Sequence, residues 1–322
     1  MKKHSTLKYV IKRLLLMLLT FTIIATMCFV LIKMLPLPVI KAQGRDVQVV
    51  MQRREAMGYN KPIMEQYFLY WKHVFQGDFG VGEQLYCGRE VAQIMLDKMP
   101  YTVTVNVYSI IFSIPIGLML GVYAALRKNR WQDHVISTGV MVTISVPSYV
   151  YAFLVQYILC FLTGWFPLQA ASREQTEFIS WEMFYSMFPA ALSLAFGSIA
   201  GFTRFTRAEL SEVLTSEYLL LARTKGLTRS QAIVRHALRN AMVPILPMIL
   251  GEFIGILGGS MIIENIFGIP GVGNLYVNAI NVRDYNFFMV LTFFYTLIGL
   301  VAGIVVDLSY GFIDPRIKMG EK

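Results

Sequence analysis

Long apolar stretches broken by short polar interruptions dominate this chain. A helix needs about 20 mostly apolar residues to cross the hydrocarbon core. Six segments reach that length: 10–34, 101–126, 134–162, 187–206, 241–263 and 287–312. The third is long enough for tilt or an interfacial extension, and glycine interrupts the fourth. Between the fourth and fifth lies a different pattern, Glu217 to Asn240, which reads EYLLLARTKGLTRSQAIVRHALRN. Its polar and basic positions cannot face lipid. They predict two short amphipathic helices broken at Gly226, since glycine takes the left-handed conformation just past a helix end without a Cβ penalty. Thr228 and Gln231 have the spacing of a capping box that restarts a helix. Residues 36–99 are too long for a simple turn. Ile63, Tyr67, Tyr70, Trp71 and Val74 recur at helical spacing and predict a short surface helix there. Its aromatic rings suit a membrane interface. The run Gly77-Asp78-Phe79-Gly80-Val81-Gly82 then predicts a flexible turn. The region could be a docking surface for an extracytoplasmic partner, or a cap over the helix ends.

Composition makes the membrane reading firm. Of 322 residues, 56% are hydrophobic and 15% charged, with a mean hydropathy of +0.54; a soluble domain carries about a quarter charged residues. Charge also orients the chain. With the N-terminus in the cytoplasm, 18 of the 29 Lys and Arg residues lie on the cytoplasmic side. Nine of the remaining 11 sit in the single long segment 33–98, where the positive-inside rule has little force. Both termini are therefore expected inside, and the net charge of +9 needs no nucleic-acid partner to explain it. The first apolar run is longer than a signal-peptide core and no small-x-small cleavage site follows it, so it reads as a retained helix. Cys28, Cys87 and Cys160 form no disulfide framework.

Candidate chemistry is sparse. Pairs of glycines four apart, Gly117/Gly121, Gly197/Gly201 and Gly251/Gly255/Gly259, suggest close helix packing. Pro115, Pro147, Pro244 and Pro247 lie in or at the ends of spans, where kinks are tolerated. Glu252 and Asp307 are the acidic candidates inside spans. A buried carboxylate usually faces the bundle interior, so Glu252 is read either as lining a pathway or as structurally paired, and Asp307, near the C-terminal basic cluster, as structural. There is no P-loop. Gly268 to Gly273 lacks a lysine and reads as a turn. His4, His73, His134 and His236 have no metal-ligand spacing, so no metal site is expected. Uphill transport would draw its energy from another subunit.

Residues 217–247 resemble the cytoplasmic coupling (EAA) motif of importer-type ABC permeases. Glu217-Tyr-x-x-x-Ala-Arg-x-Lys-Gly-Leu227, followed by His236-Ala-Leu-Arg-Asn-Ala241, is similar to the dipeptide/oligopeptide/nickel permease family. Tyr9-x-x-Lys-Arg-Leu-Leu15, Gly77-Asp-Phe-Gly80, Glu264-Asn-Ile-Phe-Gly-Ile-Pro-Gly-Val-Gly273 and Asp314-Pro-Arg316 extend the likeness over essentially the whole chain, most like the B-type subunit. Gly82, where the family pattern has Ser, and the exit Leu35-Pro-Leu-Pro38 depart from it. The resemblance implies an all-α integral membrane protein, a six-helix type I ABC importer permease. It divides into an N-terminus and first span (1–35), an extracytoplasmic region (36–99), a core (100–312) with a coupling loop at 207–240, and a cytoplasmic tail (313–322). It implies four kinds of partner: a second homologous permease, two cytoplasmic ATPases, an extracytoplasmic substrate-binding protein and membrane lipid. No cofactor is expected on this chain and no enzyme activity of its own; ATP would be hydrolysed by the partners. Glu217, Tyr218, Ala222, Arg223, Lys225, Gly226 and Leu227 would couple to the ATPases, with Ala222 and Gly226 leaving a small face for a groove. Peptides, oligopeptide before dipeptide, are the expected cargo, with nickel or another small solute as alternative. A secondary carrier working without ATP, a membrane-anchored scaffold without transport, and an elbow lying on anionic lipid are the competing accounts.

Overall fold

Apolar runs become helices because a backbone without water must satisfy its own hydrogen bonds. The structure is a computed structural model that describes residues 2–40, 44–173 and 176–313; Asp314-Pro-Arg316 and the rest of the tail lie outside them. In order the helices are α1 (Lys2–Met34), α2 (Arg45–Ala56), α3 (Ile63–Phe75), α4 (Val91–Leu126), α5 (Trp131–Ser145), α6 (Ser148–Val155), α7 (Trp181–Val213), α8 (Glu217–Thr224), α9 (Arg229–Ala232), α10 (Leu238–Gly255), α11 (Met261–Ile266), α12 (Val272–Val282) and α13 (Tyr285–Ile313). Among the described residues the only β pairing is two isolated bridges, Val81 with Glu90 and Gly82 with Cys87.

Five helical stretches are long and apolar enough to cross a membrane: Lys8–Met34, Val91–Leu126, Trp181–Val213, Arg229–Gly255 and Tyr285–Gly311. The sixth candidate is broken. Residues 131–145 and 148–162 meet at 102°, so the third expected span is not one tilted helix. Pro147 explains the break, because it disfavours helical geometry at Val146, which is extended. The fourth span, in contrast, is a continuous helix of 33 residues despite its glycines. The fifth ends at Gly255 rather than near 263; a short connection leads to α11, begun by Ser260, whose side chain accepts from Ile263 N–H. The second helix expected in the polar loop is not separate either. α9 runs through a π-wound turn, Ile233–Ala237, straight into α10. Ala232 and Ala237, five apart, can share a face because a π turn bonds i to i+5, and both are buried.

α4 and α7 form the centre of the bundle. A Cβ on Gly117 would come within 2.7 Å of Phe202 Cβ, and one on Gly121 within 2.5 Å of Thr206 Cβ. These two glycines let the backbones touch, as the four-residue spacing implied. Gly201 and Gly255 face open space, Gly197 only approaches the Tyr151 hydroxyl and Gly251 makes an ordinary contact with Val306, so of the other spaced glycines only Gly259, beside Glu264 and Thr102, is tightly enclosed.

The region between α1 and α4 is built around α3. Tyr67, Tyr70 and Trp71 pack on a buried cluster of α1 and α13 residues, Ala25, Phe29, Ile32, Tyr285, Met289 and Phe293. Trp71 stacks on Phe293 with centroids 5.8 Å apart and planes 5° from parallel. The expected interfacial aromatics are thus turned onto the bundle, while Met64 and Phe68 remain exposed. α2, which the apolar pattern did not announce, is tied to the flanking loops by Arg53 on Asp78 and by Arg54 on Glu83 and Pro38 O.

Candidate functional site

The polar elbow is mounted on the bundle by one face. Leu219 packs with Ala125 of α4, Leu210 of α7 and Ala232, Ala237 and Ala241 of the α9–α10 helix. Ala222, one turn further along α8, is also buried. The small residue expected on the docking face therefore points inward. Gly226, also expected on that face, lies in the turn, exposed, with a φ of 93°. Gly226 N–H donates to Arg223 O (3.0 Å) and Leu227 N–H to Ala222 O (3.4 Å), the bond pair of a Schellman motif. Leu227 packs against the buried cluster below. Thr228 then caps α9, with Gln231 bonding back to the Thr228 N–H in a capping box.

What the elbow presents outward is Tyr218, Leu221 and Lys225, at i, i+3 and i+7 on one helix face. Glu217, Arg223 and Thr224 are exposed beside them. Leu220 and Leu221 are large apolar side chains left more than half exposed, at 63% and 55%. The elbow therefore combines polar and basic positions with an exposed apolar ridge.

Beneath the elbow is a pair that sequence reading missed. Asp133, at the start of α5 and 1% exposed, takes Arg207 Nε on Oδ1 and Arg207 Nη2 on Oδ2 (2.8 Å). It also accepts from Asn129 N–H (2.9 Å) and Ser137 Oγ (3.3 Å). This bidentate clamp ties the α4–α5 loop to α7, the helix that carries the elbow. Asp133 stands in a polar loop context, so nothing in the local pattern marks it as buried.

Glu252 receives a hydrogen bond from Ser198 Oγ of α7 at 2.8 Å and is half-buried. Asp307 pairs with Arg13 of α1 at 3.0 Å, at the N-terminal rather than the C-terminal basic cluster. Both acids make structural contacts between helices.

Four further acids organise the end of the bundle formed by residues 36–99 and 259–284. Glu264 is fully buried, accepting from Thr102 Oγ1 (2.9 Å) and Asn274 N–H (3.1 Å), while Val272 N–H donates to that same Thr102 oxygen (2.8 Å). Gly259 and Gly271 leave room for the carboxyl: a Cβ on either would come within 2.4 Å of it. Burial pushes this acid up to about 7, against the pull of its hydrogen bonds. Asp284, also fully buried, accepts on one oxygen from the N–H groups of Glu83 (2.8 Å), Gln84 (2.7 Å) and Leu85 (2.9 Å). Glu83 is 1% exposed and pairs with Arg54 Nη2 at 2.5 Å. Asp78 of the Gly77-Asp-Phe-Gly turn holds Arg53 of α2 (2.9 Å) and His73 of α3 (3.2 Å). Gly82 is explained here: a Cβ would come within 2.0 Å of Leu85 O and 2.8 Å of Phe287, so this chain has no space for a side chain there. Leu35-Pro-Leu-Pro38 is held by Tyr285 OH on Pro36 O (3.0 Å) and Arg54 on Pro38 O (3.3 Å).

A bundle of apolar helices carrying a polar elbow at one end is the geometry of a multi-pass membrane protein. Residues 117–319 match the family described as binding-protein-dependent transport system inner membrane component, and residues 6–106 match the N-terminal family described for such membrane components. The chain is 33% identical over 312 residues to the dipeptide transport system permease protein DppB of Lactococcus lactis, covering 97% of this chain and 99% of the relative. It is 32% identical to the oligopeptide permease protein OppB of Haemophilus influenzae over 313 residues and 32% identical to the glutathione permease protein GsiC of Salmonella typhimurium over 315, with the same two coverages. The chain belongs to the family of binding-protein-dependent transport system inner membrane components, the permease subunits of ABC importers.

Proposed function

We propose that this chain is one of two homologous permease halves of an ATP-driven importer that carries peptides, oligopeptides before dipeptides, across the cytoplasmic membrane. Peptide cargo is supported by relatives whose names specify dipeptide, oligopeptide and glutathione transport. Nickel or another small solute is the alternative cargo.

The observation that carries the mechanism is the mounting of α8. Its inner face, Leu219 and Ala222, is buried in the bundle, so a push on Tyr218, Leu221 and Lys225 is passed to α7 and α10 rather than lost in a loose loop. ATP-driven closure of two ATPases, each holding one elbow, would draw the elbows together and swing the long helices. Glu217, Arg223 and Lys225 would set register at the rim of the ATPase groove through polar contacts. No catalytic residue is assigned to this chain, and ATP is hydrolysed by the partners. An extracytoplasmic binding protein would deliver cargo to the face made by residues 36–99, and both termini lie in the cytoplasm.

The test is co-purification of the chain with its co-expressed neighbours in mild detergent, followed by uptake into liposomes. Two P-loop ATPases and a second permease are expected to stay bound, and uptake of a labelled oligopeptide is expected to require ATP. A chain that runs alone and moves solute without ATP overturns the proposal and favours a secondary carrier.

A further inference from the structure

A cleft of about 510 Å³ opens between the α4–α5 loop, the end of α7 and the elbow. Lys128 and Arg130 line it from the loop, Arg223 from α8 and Arg229 from α9. Among the described residues no carboxylate lines it, and none of these four cations has an ion-pair partner. The exposed acids nearest in sequence, Glu212 and Glu217, are outside the lining. Four like charges from three elements raise the cleft's potential and concentrate an anion there. Each of the four cations is exposed, so all can turn toward one ligand in the cleft.

We infer that this cleft is a binding site for the phosphate of an anionic phospholipid headgroup from the cytoplasmic leaflet. The lipid source is favoured over free phosphate by the surroundings. Leu126 of α4, Leu214 just past α7 and Leu219 and Leu220 of α8 line the cleft, and Trp131, adjoining Arg130, is 72% exposed in the manner of an interfacial aromatic. A bound headgroup would bridge the loop to the elbow and brace the element that meets the ATPase. This goes beyond the importer reading and can hold or fail without it.

The full-length chain in mild detergent, alone and assembled with its partners, is titrated with phosphatidylglycerol or phosphatidylcholine and examined by native mass spectrometry. Preferential retention of phosphatidylglycerol is expected. Each basic residue near an anionic surface is worth about one kcal/mol, so Lys128→Gln should weaken retention roughly fivefold and Lys128→Gln/Arg229→Gln roughly thirtyfold. Lys72→Gln, which removes an exposed charge on α3, should leave it unchanged. Lys128 is exposed on a loop, so its single variant keeps the test valid if the double variant fails to fold. Equal retention of the two lipids, or retention unchanged in Lys128→Gln, overturns the site. Complete displacement by inorganic phosphate overturns the lipid source. Loss of lipid on assembly with the ATPase overturns it in favour of pairing with the partner's acidic side chains.

Discussion

Gly226 carries the turn that shapes the elbow, and its role can be separated from packing. A Cβ there meets nothing within 4 Å, yet a φ of 93° costs a side-chain-bearing residue about 1–2 kcal/mol. Gly226→Trp is expected to leave the bundle folded and to cut ATP-dependent uptake by about tenfold or more, a docking loss of at least about 1.4 kcal/mol, with uptake measured at equal membrane abundance. Unchanged uptake would remove Gly226 from the coupling surface. Glu264 makes a pH prediction. Burial raises this acid from 4.5 to about 7 in the folded state, so between those values the folded protein holds the proton more tightly than the unfolded chain does. Its contribution to stability therefore falls as pH rises through that window and is level above it. A higher thermal midpoint is expected at about pH 5.5 than at about pH 7.5, with the step flattened in Glu264→Gln. Arg54 and Glu83 make a third residue-level test. Arg54→Met leaves the Glu83 carboxylate buried without its cation, and a loss of about 3–5 kcal/mol is expected in unfolding measurements. Neither buried acid is legible in sequence as such. Glu264 lies inside the short α11 and Glu83 in the loop before α4, and each is enclosed in part by residues far along the chain, Thr102 for Glu264 and Asp284 and Asn286 for Glu83.

At the scale of elements, glycine spacing was informative on α4 and misleading elsewhere. Gly117 and Gly121 touch α7, but Gly201 does not touch α4, because the facing residues of α7 are Ile199, Phe202, Thr203 and Thr206. Spacing marks a smooth strip on a helix; it does not say which neighbour the strip meets. Gly121→Leu is expected to force α4 and α7 apart and to cost about 1–3 kcal/mol of overpacking, seen as a lower thermal midpoint, while Gly201→Leu should be tolerated. α3 shows the same limit. Its aromatic periodicity was legible, but the partner of those rings, Phe293 and its neighbours on α13, is more than two hundred residues away. The elbow's turn and capping box were legible because they are made within a few residues of chain. The inward orientation of Ala222 depends on which side of α8 the bundle lies.

The whole molecule sets the direction of coupling. In the proposed orientation, with both ends inside, the elbow and the region 36–99 would face opposite compartments. In a chain with Cys28, Cys87 and Cys160 replaced by serine, a cysteine at Thr224 should react with an impermeant maleimide only from the cytoplasmic side, and one at Phe68 only from outside. Labelling of both from one side would overturn the topology. The clamp between Asp133 and Arg207 ties the α4–α5 loop to α7, which leads into the elbow, and the pair between Arg13 and Asp307 ties α1 to α13.

The sequence by itself determined the features that depend on short stretches of chain: apolar length, charge asymmetry, the Gly226 turn, the Thr228 cap and the motifs of the permease family. Those follow from local hydrogen bonding and from the cost of placing charge in lipid. Tertiary structure alone decided the sharp bend between α5 and α6, the direction in which α8 faces, and the enclosure of Glu83, Glu264 and Asp284. The latter two depend on side chains meeting across long separations, where desolvation and the available partner, not local propensity, set the outcome. The bend has a local cue in Pro147, but a proline permits a break without fixing its angle; the packing of the flanking helices against α7 does that.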